Sequence, residues 1–167
     1  PSNTPTTPLV GGESYRAVAS RASVIGAPYG WNADRMERLL DRYGSMIDEF
    51  TAVVDDDPSL GQPLATAPQY LRAEVAYAVT HEGALHLDDI LASRIRLHLE
   101  TRDRGTAALD EVAEIAAPLL GWDEATTERE KAAYRDRVAA ELAALETLTD
   151  SDAMEAVESG TPFETVV

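Results

Sequence analysis

The sequence predicts an all-α protein, a compact bundle of about six to seven helices with no sheet. Apolar residues recur at the helical spacings i, i+3, i+4 and i+7 in several segments, whereas no segment shows a convincing two-residue alternation. Ala, Leu and Glu are abundant and aromatic residues make up only 6% of the chain, which favours helix over sheet. With 167 residues, the chain is long enough for one ordinary domain.

The N-terminal half is predicted to contain three helices, over residues 13–24, 33–43 and 45–54. Glycine and proline at positions 26, 28 and 30 end the first of them. Asn32 is a suitable N-cap for the second helix. The apolar side chains of that helix fall on one face and are Met36, Leu39, Leu40 and Tyr43. An acidic loop rich in proline and glycine extends to about residue 69.

The C-terminal half is predicted to contain four helices, over residues 70–82, 86–95, 106–120 and 124–146. Pro118 is expected to kink or tighten the last turn of the third, and Gly121 is a typical stop after it. Asp123 is a suitable cap for the last helix. The predicted buried stripe of that helix consists of Tyr134, Val138, Leu142 and Leu145.

Composition excludes several classes of function. The formal net charge of −16 opposes binding to nucleic acid and to anionic lipid surfaces. The chain has no cysteine, so thiolate nucleophiles, disulfides and cysteine-ligated metals are excluded, and a cytoplasmic location is compatible with this composition. No apolar run approaches the roughly 18 residues of a membrane span, so direct membrane insertion is not expected.

The sequence offers no convincing catalytic, cofactor or metal site. His81, Glu82 and His86 resemble a zinc-protease motif, but the histidines are five residues apart, about 140° around a helix. The acidic run at residues 55–57 lacks the Gly and distal Glu of a calcium loop. No glycine-rich phosphate loop occurs. We therefore expect no catalytic, cofactor-binding or metal-binding residues in this chain.

Two blocks of sequence point to a family. The first covers residues 70–79, then His81 and Glu82, then residues 87–91 with Arg94 and Arg96. The second covers residues 111–115 and 119–123, followed by Tyr134 and Val138, and residues 8–12 resemble a linker leaving another domain. In order and spacing, these residues resemble the C-terminal helical domain of FAD-dependent glycerol-3-phosphate dehydrogenase, also called alpha-glycerophosphate oxidase.

This chain departs from the family pattern in three places. Ser93 and Arg94 stand where the family usually has a pair of arginines, so a role that needs both arginines is not carried over. Gly83 replaces a larger residue, and the tail beyond about residue 148 has no recognised counterpart.

The resemblance implies that this chain is one domain of a longer parent enzyme and that other domains carry the catalysis. The parent would oxidise glycerol 3-phosphate to dihydroxyacetone phosphate, using FAD and passing electrons to quinone or oxygen. Residues 1–12 would be the linker from its catalytic domain, residues 13–148 the C-terminal helical domain, and residues 149–167 an acidic, weakly structured tail. The chain itself would neither bind FAD nor turn over substrate.

The resemblance also implies a partner. The chain would pack against the FAD and substrate domains of the parent, with homodimer contacts as a further expectation, and the parent would lie in the cytoplasm or peripherally at the cytoplasmic membrane. The residues expected to make the interdomain contact are His81, Glu82, Asp89, Arg94 and Arg96.

Two other hypotheses remain open from the residues alone. The chain could be a stand-alone acidic helical module that recruits an unrelated partner through an apolar patch. It could also be a small enzyme that uses His81 and Glu82 as an acid–base pair, in which case His81 should line a pocket.

Overall fold

The all-α prediction is confirmed in the computed structural model, which describes residue 7 and residues 9–145. Within these residues there is no β-strand, only one isolated bridge between Pro63 and Leu71. The α-helices are α1 (Tyr15–Ala19), α2 (Ala22–Gly26), α3 (Ala33–Tyr43), α4 (Ile47–Asp56), α5 (Arg72–Thr80), α6 (Leu97–Glu100), α7 (Leu109–Leu120) and α8 (Glu124–Leu145). The acidic tail predicted at 149–167 lies outside the described residues, as does most of the linker predicted at 1–12.

The chain divides into two compact units, one ending at Gln62 and the other beginning at Pro63. The first unit contains α1 to α4 and the second contains α5 to α8. None of the described helices combines the length and the apolar character needed to cross a membrane.

In the first unit, α3 has the bounds predicted from the sequence. The Asn32 side chain accepts a hydrogen bond from the Arg35 backbone N–H at 2.9 Å and so caps the helix. The predicted apolar face is buried, and the Tyr43 ring stacks on Phe50 of α4 with centroids 4.5 Å apart. The core of this unit therefore lies between α3 and α4.

Two boundaries in the first unit differ from the prediction. The helix predicted over residues 13–24 is wrong as one element, because it breaks into α1 and α2 at Ser20. No residue of α1 is buried, so packing does not hold a continuous helix together there. A 3₁₀ turn over Gly44–Met46 moves the start of α4 to Ile47, two residues later than predicted.

In the second unit, α5 is the central helix. Residues 73–78 are all buried, so α5 is enclosed on every side instead of burying a single stripe. Glu74 is fully buried, and its carboxylate accepts the Leu71 backbone N–H at 2.9 Å at the start of the helix. An oxygen of this side chain thus satisfies a backbone N–H at the start of the helix.

The segment after α5 contains an unusual backbone. A helix lies within the range predicted over residues 86–95, but its type differs from an ordinary α-helix, because Asp89–Arg94 form a π-helix. This single wide turn buries Ile90 and Leu91 in the core. The π-helix ends at Arg94, and Arg96, which has a positive φ of 62°, immediately precedes α6. A π-helix of this kind is often found where a fold positions functional residues.

The stop after α7 and the cap before α8 are those predicted from the sequence. Helix α7 continues through Pro118 to Leu120 and is closed by Gly121 with a positive φ of 70°. Asp123 accepts the Thr126 backbone N–H at 2.8 Å before α8 begins. The predicted burial of Leu142 and Leu145 is wrong: both are exposed, Leu145 by 69%. Tyr134 and Val138 are buried as predicted, so only the earlier part of α8 packs into the core.

We expect Asn32→Ala to lower the free energy of unfolding of the first unit by about 1 kcal/mol, because the variant loses the cap acceptor of Arg35. The measurement is the urea midpoint of the chain, followed by circular dichroism. Asn32→Asp keeps an acceptor at the same position and should retain most of the stability. Equal losses in both variants would contradict the capping role.

Candidate docking site

The five residues predicted to make an interdomain contact lie in one short stretch of the second unit, between the end of α5 and the start of α6. The Arg94 guanidinium donates from Nε to the Glu82 carbonyl oxygen at 2.9 Å, so the two ends of this stretch are held together. Both residues are half-buried. Residues 82–94 therefore form a closed loop that includes the π-helix.

His81 is exposed and lies at the C-terminal end of α5. Its ring is parallel to that of Tyr77, with centroids 4.3 Å apart. The Thr80 hydroxyl donates to the Ala76 carbonyl oxygen at 2.8 Å and lies 2.7 Å from Nδ1 of His81. Because that hydroxyl proton is already used, Nδ1 of His81 is the donor to Thr80. The ring is thus fixed in one orientation at the surface.

Asp89 is used inside the unit. Its carboxylate accepts the backbone N–H groups of Leu85 at 3.0 Å and of His86 at 3.1 Å. These bonds satisfy amides at the start of the helical segment and fix the loop before it. Asp89 thereby orders the stretch that carries the other four residues.

Arg96 is the exposed member with a strained backbone. A non-glycine residue in the left-handed region costs about 1–2 kcal/mol. Such a conformation persists only where the surrounding structure enforces it, and it is concentrated at functional sites. The π-helix before Arg96 and the buried Leu97 after it fix this conformation from both sides.

One face of α8 holds this stretch in place. Glu130, Tyr134, Arg137 and Glu141 follow one another at spacings of four, three and four residues, so they share a face of the helix. Glu130 binds His86 Nδ1 at 2.9 Å and accepts the Leu87 N–H at 3.2 Å. Arg137 forms an ion pair with Asp88.

His98 is the centre of this network and is 3% exposed. Its Nε2 lies 2.7 Å from the Glu141 carboxylate, and its Nδ1 lies 3.0 Å from the Tyr134 hydroxyl. The Tyr134 hydroxyl donates its own proton to the Arg104 carbonyl oxygen at 2.5 Å, so it accepts from Nδ1. Both ring nitrogens of His98 therefore have an oxygen partner on α8.

Two carboxylates of this network share one arginine. Arg137 forms ion pairs with Asp88 and with Glu141, and Glu141 also lies against His98. Arg137 also donates from Nε to Glu141 at 2.9 Å, which connects the two ion pairs. Charges that are removed from water are tolerated when they are paired and hydrogen-bonded, and the bond between Arg137 and Glu141 meets both conditions.

The pKa values of Glu141 and Asp88 are shifted in opposite directions. Burial acts to raise the pKa of Glu141, but the hydrogen bond from Arg137 and the charge of His98 outweigh it and lower the pKa. For Asp88, burial dominates over the charge of Arg137 and raises the pKa. Burial also raises the pKa of the Tyr134 phenol, which stays protonated and able to donate. Of the two carboxylates, Glu141 is thus the one that stays ionised to lower pH.

Sequence reasoning did not identify the network. His98, Asp88 and His86 lie in one segment, and their partners lie more than 35 residues later. The spacing of Glu130, Tyr134, Arg137 and Glu141 on α8 was the available signal. A polar stripe at helical spacing is usually a solvated face, so the pattern by itself did not indicate burial.

The geometry gives little support to an acid–base pair or a metal site at residues 81–86. His81 is exposed and stacked on a tyrosine, and this counts against an acid–base pair formed with Glu82 in a pocket. His86 bonds Glu130, so the two histidines of the zinc-like motif have different partners. Among the described residues, no group of three or more potential metal ligands is found.

The fold defines an all-helical domain, and comparison with known proteins gives its family. A family model described as the C-terminal domain of alpha-glycerophosphate oxidase matches residues 2–127. The chain belongs to this family.

The chain is similar to several glycerol-3-phosphate dehydrogenases. It is 47% identical over 142 residues to glycerol-3-phosphate dehydrogenase 2 of Mycobacterium tuberculosis, covering 85% of this chain and 24% of that protein. The enzyme of Mycobacterium leprae is 44% identical over the same shares. Glycerol-3-phosphate dehydrogenase 1 of Mycobacterium tuberculosis is 41% identical over 48% of this chain and 17% of that protein. The chain thus spans about a quarter of the length of the first two relatives. No solved structure matches significantly.

We expect Glu141→Gln to destabilise the chain at about pH 6 and to lose this effect in acid. The pKa of Glu141 lies below its ordinary value of 4.5 in the folded protein. Its contribution is therefore fully present above pH 4.5 and is lost as the pH falls through the lowered pKa. The measurement is the difference in urea midpoint between parent and variant over a series of pH values.

The matched control is Glu114→Gln, which changes an exposed carboxylate on α7. This control should stay close to the parent at every pH. A Glu141→Gln deficit that persists undiminished at about pH 3 would contradict the assigned charge pairing.

Proposed function

We propose that this chain is the accessory C-terminal domain of an FAD-dependent glycerol-3-phosphate dehydrogenase. The complete enzyme would oxidise sn-glycerol 3-phosphate to dihydroxyacetone phosphate and pass the electrons through FAD to a quinone. A quinone acceptor would place that enzyme peripherally at the cytoplasmic membrane. The observation that carries the proposal is family membership, together with the quarter share of the dehydrogenases that the chain spans.

The chain's own residues do not fit a flavin. Dinucleotide sites are usually built on a strand, a glycine-rich turn and a helix, and the described residues contain neither a strand nor that turn. The buried His98 and the half-buried Asp88 lie against Glu141 and Arg137 of the same unit. We therefore assign FAD binding and catalysis to the other domains of the longer enzyme, and a structural role to this one.

Within this role, we assign the docking contact to His81 and Arg96. Both side chains are exposed, whereas Asp89 and Arg94 hold the same stretch together from within. A ring stacked on Tyr77 and a backbone fixed in the left-handed region lose little conformational entropy when they bind a partner. The partner is the catalytic part of the same enzyme.

The first experiment concerns the cofactor and the reaction. The full-length gene product should be yellow, contain stoichiometric flavin and reduce a quinone analogue in the presence of glycerol 3-phosphate. The 167-residue chain should be colourless and inactive. A full-length product without flavin or without this activity would contradict the proposal and favour an acidic helical interaction module instead.

The second experiment concerns docking. Arg96→Asn removes the guanidinium but tolerates the left-handed backbone, so the domain should fold normally. In the full-length enzyme, we expect this variant to separate the unfolding of this domain from that of the remainder in calorimetry, with turnover retained. Arg96→Lys keeps the charge and is the matched control. Unchanged melting with collapsed turnover would contradict a docking role.

A further inference from the structure

A glycine contact fixes the first described turn of the chain. Gly11 and Gly44 have positive φ angles of 77° and 55°. A Cβ atom built on Gly44 would lie 2.0 Å from the carbonyl oxygen of Gly11, and one built on Gly11 would lie 2.8 Å from the carbonyl oxygen of Tyr43. Only glycine at both positions allows the backbones to approach this closely.

Hydrogen bonds hold the same turn at further points. The Ser45 backbone N–H donates to the Gly11 carbonyl oxygen at 2.9 Å, and the Gly12 N–H donates to the Leu9 carbonyl oxygen at 2.9 Å. The Tyr15 hydroxyl donates to Asp41 of α3 at 3.0 Å. Residues 9–15 are therefore bound to the end of α3 and cannot be treated as a free linker.

This fixed turn presents two adjacent apolar side chains to solvent. Leu9 is 82% exposed and Val10 is 91% exposed, the highest values among the large apolar residues described. Isolated exposed apolar residues are common and need no explanation. Two neighbouring ones on a backbone that is held by a glycine contact and three hydrogen bonds are preorganised for burial by a partner.

We infer that Leu9 and Val10 insert into an apolar pocket on the preceding domain of the same polypeptide. This inference rests on the proposed function and adds a second contact to it. The family is described as a C-terminal domain and the match covers 24% of the relative, so the catalytic part of the proposed enzyme would precede this region. The turn at residues 9–12 would lie at the junction, where a tethered partner has a high effective concentration and a small apolar contact suffices.

The test compares variants of the full-length enzyme. Leu9→Ser combined with Val10→Ser should increase the rate of proteolytic cleavage within residues 1–12 by about tenfold, because the junction opens more often once its apolar contact is lost. In the 167-residue chain, the same double variant should be cleaved at the parental rate. Val24→Ser is the matched control, since Val24 is also an exposed apolar residue, on α2, and is 66% exposed.

A second variant tests the fixed turn itself. Gly44→Ala leaves Leu9 and Val10 in place but cannot accommodate Gly11, so the turn should detach. We expect faster cleavage both in the full-length enzyme and in the 167-residue chain, with the helical content retained. Parental cleavage rates in both proteins would overturn the role of the glycine contact.

The outcomes separate this inference from the proposed function. If the double variant is cleaved no faster than Val24→Ser, or accelerates equally in the 167-residue chain, the apolar insertion is overturned. The proposed function then stands or falls by flavin content and glycerol 3-phosphate oxidation, which do not depend on these residues. A selective effect in the full-length enzyme alone supports the inference.

Discussion

The network of ion pairs and hydrogen bonds between α8 and residues 86–98 is the constraint on which the second unit depends. The C-terminal part of α8 buries little apolar surface, since Leu142 and Leu145 are exposed. Its attachment comes instead from His98 and the polar face that ends in Glu141. These polar contacts require particular partners at particular positions, so they specify one register of α8 against the core.

This network explains how the unfavourable backbone of the π-helix and Arg96 persists. The π-helix and the left-handed Arg96 would relax if the residues around them were free to move. Asp88 is paired with Arg137 just before the π-helix, and His98 is held two residues beyond Arg96. The network therefore connects core packing to the surface on which the docking proposal rests, although none of its central groups is itself exposed.

Both proposed contacts depend on a preorganised backbone. In each, a backbone conformation that most residues avoid is fixed by hydrogen bonds, and it presents exposed side chains in a defined arrangement. Arg96 follows the π-helix in one unit, and Leu9 and Val10 lie on the turn held by Gly11 and Gly44 in the other. Preorganisation of this kind lowers the entropy lost on binding, which suits the docking role that we propose for this domain.

The sequence by itself determined the helical class, the bounds of α3 and the caps at Asn32, Gly121 and Asp123, because these depend on spacing and on backbone chemistry within a few residues. It also identified the family through motifs along the chain. Only the tertiary structure decided the π-helix, the break between α1 and α2, and the burial of His98. The π-helix and the burial of His98 depend on partners far away in the sequence, where filling the core and satisfying buried polar groups override local propensity. The break follows from the lack of burial along α1, which spacing alone does not reveal.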